Sequence, residues 1–111
     1  MINISIIRHS DQSIAAFEVK GHAGYAERGK DIVCAGVSAV TVGTVNAVEA
    51  LLGVELEAEM AEGFLRVRVP DVEDASKRGQ IQLLLESMLV MLNSIRESYG
   101  QFVDIRENQT S

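Results

Sequence analysis

The chain has 111 residues, with 16 acidic against 10 basic side chains and a formal net charge of −6. That length fits a single domain over residues 1–111, and 47% apolar with 23% charged residues is the balance of a folded chain, not a disordered one. The negative charge and the lack of tryptophan argue against direct nucleic-acid binding, since phosphate would be repelled; one cysteine, Cys34, and two histidines exclude an internal disulfide and a structural zinc set.

From the N-terminus, Ile2, Ile4 and Ile6 alternate with Asn3 and Ser5, which is a strand pattern. Residues 9–13 are turn material, and Ile14 to Lys20 reads as a second strand, with Ala15, Phe17 and Val19 on one face and Ala16, Glu18 and Lys20 on the other. A polar loop with three glycines, Gly21 to Lys30, follows. Asp31 is a good N-cap for a helix running to about Leu52, with Gly53 as its stop. Next comes a hairpin. Val54, Leu56, Ala58 and Met60 alternate with Glu55, Glu57 and Glu59; past a turn at Ala61–Gly63, Leu65, Val67 and Val69 alternate with Arg66 and Arg68. Glutamates opposite arginines support the register and mark a solvated face, not a site. Pro70 ends that strand. A long helix is predicted from about Glu73 to Tyr99, stopped by Gly100, then a short strand from Phe102 to Arg106, with residues 108–111 expected to fray. The order β-β-α-β-β-α-β predicts an α+β fold, a single layered domain with a mostly antiparallel sheet and two helices.

The longest apolar run, Ile32 to Val45, reaches Leu52 only past Asn46 and Glu49, and it lacks the aromatic or basic flanks of a bilayer span of about 20 residues. It reads as a buried helix of a cytoplasmic protein with no membrane partner, and one unpaired cysteine suits a reducing compartment. The segment Met1 to Arg8 is too short and too alternating for a signal peptide. In the second helix, Leu83 to Leu85 and Met88 to Leu92 cover more than one stripe of a 3.6-residue period. The surplus is expected to face another copy in a homodimer; the alternative is a helix wedged within its own core.

The chemistry-bearing stretch runs from Gly21 to Ser38. Cys34 falls in the first turn after the Asp31 cap, where free backbone N–H groups and the helix dipole favour a thiolate. His22 lies in the loop entering that helix, and a glycine-bearing loop can fold back to bring its imidazole beside the sulfur as a proton carrier. The N–H groups of Cys34 and Ala35 are then candidate oxyanion donors. Spacing alone leaves the bland alternatives open: a small buried cysteine and a loop or capping histidine. Asp31 can orient His22 or only cap the helix, and the cap is favoured. Ser38, one turn beyond Cys34, can line the site, and Gly21, Gly24 and Gly29 permit either a mobile loop or simple tight turns. A competing motif, Gly24 to Asp31, imitates a phosphate-binding loop, but Asp31 stands where a magnesium-binding hydroxyl is required and its carboxylate would compete with phosphate. A redox role lacks a resolving cysteine. No metal or cofactor is expected.

Gly21-His22-Ala23 followed by Asp31-Ile32-Val33-Cys34-Ala35-Gly36-Val37-Ser38 resembles the signature of the ribosomal-processing cysteine protease (Prp) family, with Gly36 where the family commonly has alanine. The resemblance extends over nearly the whole chain. It implies a cysteine endopeptidase with Cys34 as nucleophile and His22 as proton donor. The implied substrate is the short N-terminal extension of a basic large-subunit ribosomal protein, number twenty-seven of the subunit, cut after a Leu-Gln-Phe-Phe type sequence. It also implies a homodimer. The rival from another class is a non-enzymatic ribosome-assembly factor that grips a basic partner through its acidic hairpin.

Overall fold

The computed structural model describes residues 1–110 and contains β1 (Ile2–Arg8), β2 (Ile14–Lys20), α1 (Ile32–Leu52), β3 (Glu57–Ala61), β4 (Phe64–Arg68), α2 (Ala75–Ser98) and β5 (Val103–Gln109). The element order is the one the sequence predicts. The five strands form one sheet in the order β3-β4-β2-β1-β5, antiparallel throughout except for the parallel pair β1–β5. That one exception follows from the crossover through α2, which returns the chain to the free side of β1.

One face of the sheet carries the core. Ile2, Ile4 and Ile6 of β1, Phe17 of β2, Leu65 and Val67 of β4 and Val103 of β5 are buried there. They join the buried stripes of both helices in a single cluster. In α1 that stripe is Val33, Val37, Thr41, Thr44 and Val48; in α2 it is Ile81, Leu85, Met88, Leu89 and Leu92. Both sets recur at three- and four-residue steps, as one helix face must. By length and composition α1 could cross a bilayer, with a mean hydropathy of 1.5, but here its apolar stripe packs into this core.

Three boundaries differ from expectation. β3 begins at Glu57, and all five of its residues are exposed, Met60 at 65%. It is the outermost strand, so Ala58 and Met60 have nothing packed over them, and Leu56, just before it, is the residue that enters the core. The expected register nevertheless forms: Glu57 faces Arg68 at 3.8 Å and Glu59 faces Arg66 at 4.0 Å. In β2 a bulge opposite Ile7 and Arg8 turns Ile14 inward, against simple alternation. β5 runs on to Gln109 because it pairs with the full length of β1, and the Thr110 N–H bonds Arg8 C=O, so the tail is held where fraying was expected; Ser111 lies outside the described residues. α2 starts at Ala75, two residues late, because Asp74 takes the cap by accepting from the Lys77 N–H.

Two polar ties bind α2 to the sheet. The Arg8 guanidinium bonds both Glu86 oxygens at 2.6 and 3.0 Å and Glu107 at 2.9 Å. The Gln82 side chain accepts from the Ile14 N–H and donates to its carbonyl, at 2.7 and 2.9 Å, acting as one extra rung at the start of β2.

Candidate active site

The site is built on the first turn of α1. Asp31 is nearly buried and takes four backbone N–H donors. Oδ1 accepts from Val33 and Cys34, both at 3.0 Å, which is the helix cap. Oδ2 accepts from Tyr25 and Ala26 at 3.0 and 3.3 Å, which clamps the preceding loop. Burial raises this carboxyl, but the donors Cys34, Ala26, Tyr25 and Val33 together outweigh it and hold it below the ordinary aspartate range. Every one of these hydrogen bonds runs to backbone, none to His22. They also answer the phosphate-loop motif, since the helix-end N–H groups that would hold a phosphate already hold this carboxylate.

Cys34, the third helical residue, is half-buried, and its Sγ accepts a hydrogen bond from the Ala23 N–H at 3.3 Å. That contact holds the sulfur of the first α1 turn against the loop backbone. The expected oxyanion donors are a correction. The Cys34 N–H is taken by Asp31 Oδ1, and the Ala35 N–H by the Asp31 carbonyl at 3.0 Å. The side-chain cap uses up the Cys34 N–H, and the first intrahelical bond uses up that of Ala35.

His22 follows the end of β2 with only Gly21 between them. The Gly21 N–H bonds the Gly63 carbonyl at 2.9 Å, and Gly21 has φ +91° with its Cβ position only 2.5 Å from the Met1 carbonyl oxygen. A side chain there would meet backbone on a strained φ, so glycine is required. The His22 ring lies on Gly63 in the β3–β4 turn, with Nε2 2.8 Å from where a Cβ on Gly63 would be. The partner of Sγ is the Ala23 N–H, not the ring.

Two grooves meet at Cys34, His22 and Ser38, which line both. The first, of about 520 Å³, runs between the loop (Gly24, Ala26, Arg28, Gly29) and the hairpin tip at Glu62, with Asp31 and Ala35 in its floor. An Arg28–Glu62 ion pair of 2.8 Å spans it, both partners exposed. The second, of about 360 Å³, is walled by Val19, Val37, Val42, Met60, Phe64 and Leu65, with Gly21 at its end. The exposure of Met60, costly for an edge strand, therefore gives this groove an apolar side. The loop itself is pinned by Tyr25, whose ring meets Tyr99 edge-on at 5.7 Å and Phe102 at 5.3 Å.

Sequence reasoning thus brought together His22, Cys34, Asp31, Ala35, Ser38 and Gly21. It missed Ala23, Tyr25, Arg28, Met60, Glu62 and Gly63. The two-residue turn at Glu62–Gly63 was legible as a turn, but what would lie over it was not, because that depends on β4 pairing with β2.

The family model for cysteine protease Prp matches residues 1–104. The ribosomal processing cysteine protease Prp of Bacillus subtilis is 41% identical over 110 residues, which cover 97% of this chain and 98% of that protein. The crystal structure of the Staphylococcus aureus ribosomal processing protease Prp with a covalently linked product peptide superposes with a TM-score of 0.87 at 32% identity, over 96% of this chain and 99% of that one. The same protease with a substrate peptide gives 0.83 at 31% identity, with the same coverage. The matched span takes in the capped helix end, the loop and both grooves, and the chain belongs to the Prp family of ribosomal processing cysteine proteases.

Proposed function

We propose that this protein is an endopeptidase that removes the short N-terminal extension of a basic large-subunit ribosomal protein, number twenty-seven of the subunit, cutting after a Leu-Gln-Phe-Phe type sequence. The observation that carries the reading is the meeting of two grooves at one sulfur: Cys34 lies where a groove walled by Val19, Val42, Met60, Phe64 and Leu65 joins one flanked by Arg28 and Glu62, and His22 lines both. A peptide laid through them puts a bulky apolar side chain among Val19, Val42, Met60 and Leu65, with the next residues under Arg28 and Glu62. His22 takes the Cys34 thiol proton as Sγ attacks the scissile carbonyl carbon and a C–S bond forms. The C–N bond breaks as His22 protonates the leaving amine, and water, deprotonated by His22, hydrolyses the thioester and restores the thiol. The Staphylococcus aureus relative, solved with a substrate peptide and with a covalently linked product peptide, supports this reading. The acidic chain complements a basic substrate, and a single free thiol suits the cytoplasm as the place of action.

Mass spectrometry of a peptide containing a Leu-Gln-Phe-Phe junction tests it. One cut is expected with the parent protein and none with Cys34→Ala, while His22→Ala should cut far more slowly. Equal cutting by all three discards the assignment.

The same reading includes a homodimer. Leu83, Val90 and Met91 of α2 are 70, 66 and 42% exposed, and Met91 and Leu84 line a shallow furrow against Ala47 and Val40 of α1. An apolar patch of this kind on a small acidic protein favours a second copy. Light scattering should give twice the chain mass for the parent and the chain mass for Leu83→Glu/Val90→Glu; a monomeric parent at micromolar concentration removes the proposal.

A further inference from the structure

Gly63 is separated from His22 by some forty residues of chain, yet it supplies the surface under the imidazole. Its carbonyl accepts from the Gly21 N–H at 2.9 Å, which fixes the backbone just ahead of His22. Its missing side chain leaves the space the ring occupies: a Cβ there would stand 2.8 Å from Nε2, 3.3 Å from Cε1 and 3.5 Å from Cδ2. Gly53 and Gly63 share a φ of +67°, but nothing lies within 4 Å of a Cβ at Gly53. The two glycines therefore separate two causes: a left-handed turn, which both serve, and a seat for a side chain, which only Gly63 provides. The ring is the movable partner in the close contact, so a methyl at position 63 displaces the ring in preference to the hairpin.

We propose that Gly63 is the positioning residue for His22, with the bare Cα of the β3–β4 turn acting as the seat of the imidazole in the grooves that Cys34 also lines. Its kinetic consequence rests on the proposed protease activity; its structural consequence does not. The test compares Gly63→Ala, Gly63→Asn and the control Gly53→Ala. Asparagine tolerates the left-handed φ and still brings a Cβ. Both Gly63 variants are expected to lose kcat by about a hundredfold, the scale of a 1 Å misplacement of a reacting group, with KM nearly unchanged. Gly53→Ala should keep the parent kcat. In parallel, the carbon-bound ring protons of both histidines are followed by NMR across pH. The His22 signals should move in both Gly63 variants and stay in Gly53→Ala, while those of His9 stay in all three. An unmoved His22 signal, or a kcat loss matched by Gly53→Ala, overturns the proposal. So does failure of Gly63→Asn to fold, since the glycine would then serve the hairpin alone. A parent protein that cuts no peptide would refute the protease reading and leave the NMR comparison to decide this one.

Discussion

The loop that flanks the groove at Arg28 is fastened in part by one aromatic side chain, and its removal has a calculable effect. Tyr25 meets Tyr99 at 5.7 Å and Phe102 at 5.3 Å, both nearly edge-on. Such pairs contribute about 0.5–1.5 kcal/mol each beyond area burial. Tyr25 is 44% exposed, so the lower half of that range applies, and the two contacts together hold the loop closed by about 1–2 kcal/mol. At about 1.4 kcal/mol per factor of ten, Tyr25→Ala should raise the open fraction of the loop by about five- to twenty-five-fold. Amide hydrogen exchange reads this directly. The Ala23 N–H on Cys34 Sγ and the Ala26 N–H on Asp31 Oδ2 are protected only while the loop is closed, and local opening exposes them without global unfolding. Both should exchange faster by that factor in Tyr25→Ala, the Val48 amide in mid-helix should not change, and Tyr25→Phe, which keeps both ring contacts, should match the parent. Unchanged exchange at Ala23 and Ala26, or equal acceleration in Tyr25→Phe, refutes the reasoning.

Two further perturbations address what holds the site in place. Leu85 of α2 is fully buried in the common core, and Leu85→Ala should cost about 2–5 kcal/mol in urea denaturation, the range for a leucine whose cavity closes only partly. Glu86 is held below the ordinary glutamate range by its hydrogen bond to Arg8, against the opposing effect of burial. A lowered carboxyl stabilises the fold fully above its unfolded value, about 4.3, and loses that contribution as pH falls through its folded value. Stability of the parent should therefore fall more steeply below about pH 5 than that of Glu86→Gln, by a modest amount because the carboxylate is 43% exposed and screened. Parallel acid limbs in the two proteins would show that the pair contributes nothing.

The elements that periodicity defines were legible: the alternation of β1, the Asp31–Gly53 span of α1, and the glutamate–arginine register of the hairpin. Local rules suffice there because each signal lies within one continuous stretch of chain. What escaped was set by partners distant in sequence. Ile14 turns inward because β1 and β2 are out of step by one residue at Arg8, and Arg8 has its own partners in Glu86 and Glu107. β5 outlasts its apolar residues because β1 offers it seven pairing positions. The site follows the same division. Cys34 at a capped helix end was readable from Asp31 onward, and so was a histidine in the loop before it. The surface under that histidine and the donor to the sulfur were not, because Gly63 arrives through the sheet and Ala23 through the fold of the loop. Even a correct local reading misled once. Asp31 was read as the cap, and a cap of that kind is what removes the Cys34 N–H from the oxyanion role assigned to it.

Asp31 is also where the halves of the site are coupled, and that coupling can be broken one half at a time. Four N–H groups converge on two oxygens: Val33 and Cys34 on Oδ1, Tyr25 and Ala26 on Oδ2. An asparagine has one accepting oxygen, and its amide nitrogen can only donate. Asparagine is as good an N-cap as aspartate, so in Asp31→Asn the oxygen should stay with Val33 and Cys34 and leave Tyr25 and Ala26 without an acceptor. Asp31→Ala removes both sets. Exchange at the Tyr25 and Ala26 amides should accelerate in both variants, whereas exchange at Val33 and Cys34 should accelerate only in Asp31→Ala. Acid should act on the carboxylate as the substitution does. The folded value lies below the unfolded one of about 3.9, so the clamp is complete at neutral pH and gives way only as pH falls below that value. Loop amides of the parent, corrected for intrinsic rates, should thus hold their protection down to about pH 4 and lose it below, while those of Asp31→Asn show no such step. Loop amides as well protected in Asp31→Asn as in the parent would mean that Tyr25 and the glycine turns hold the loop alone. A selective loss would mean that one carboxylate ties the turn bearing Cys34 to the loop bearing His22, so that the sulfur and the imidazole are placed by the same group although neither touches the other through it.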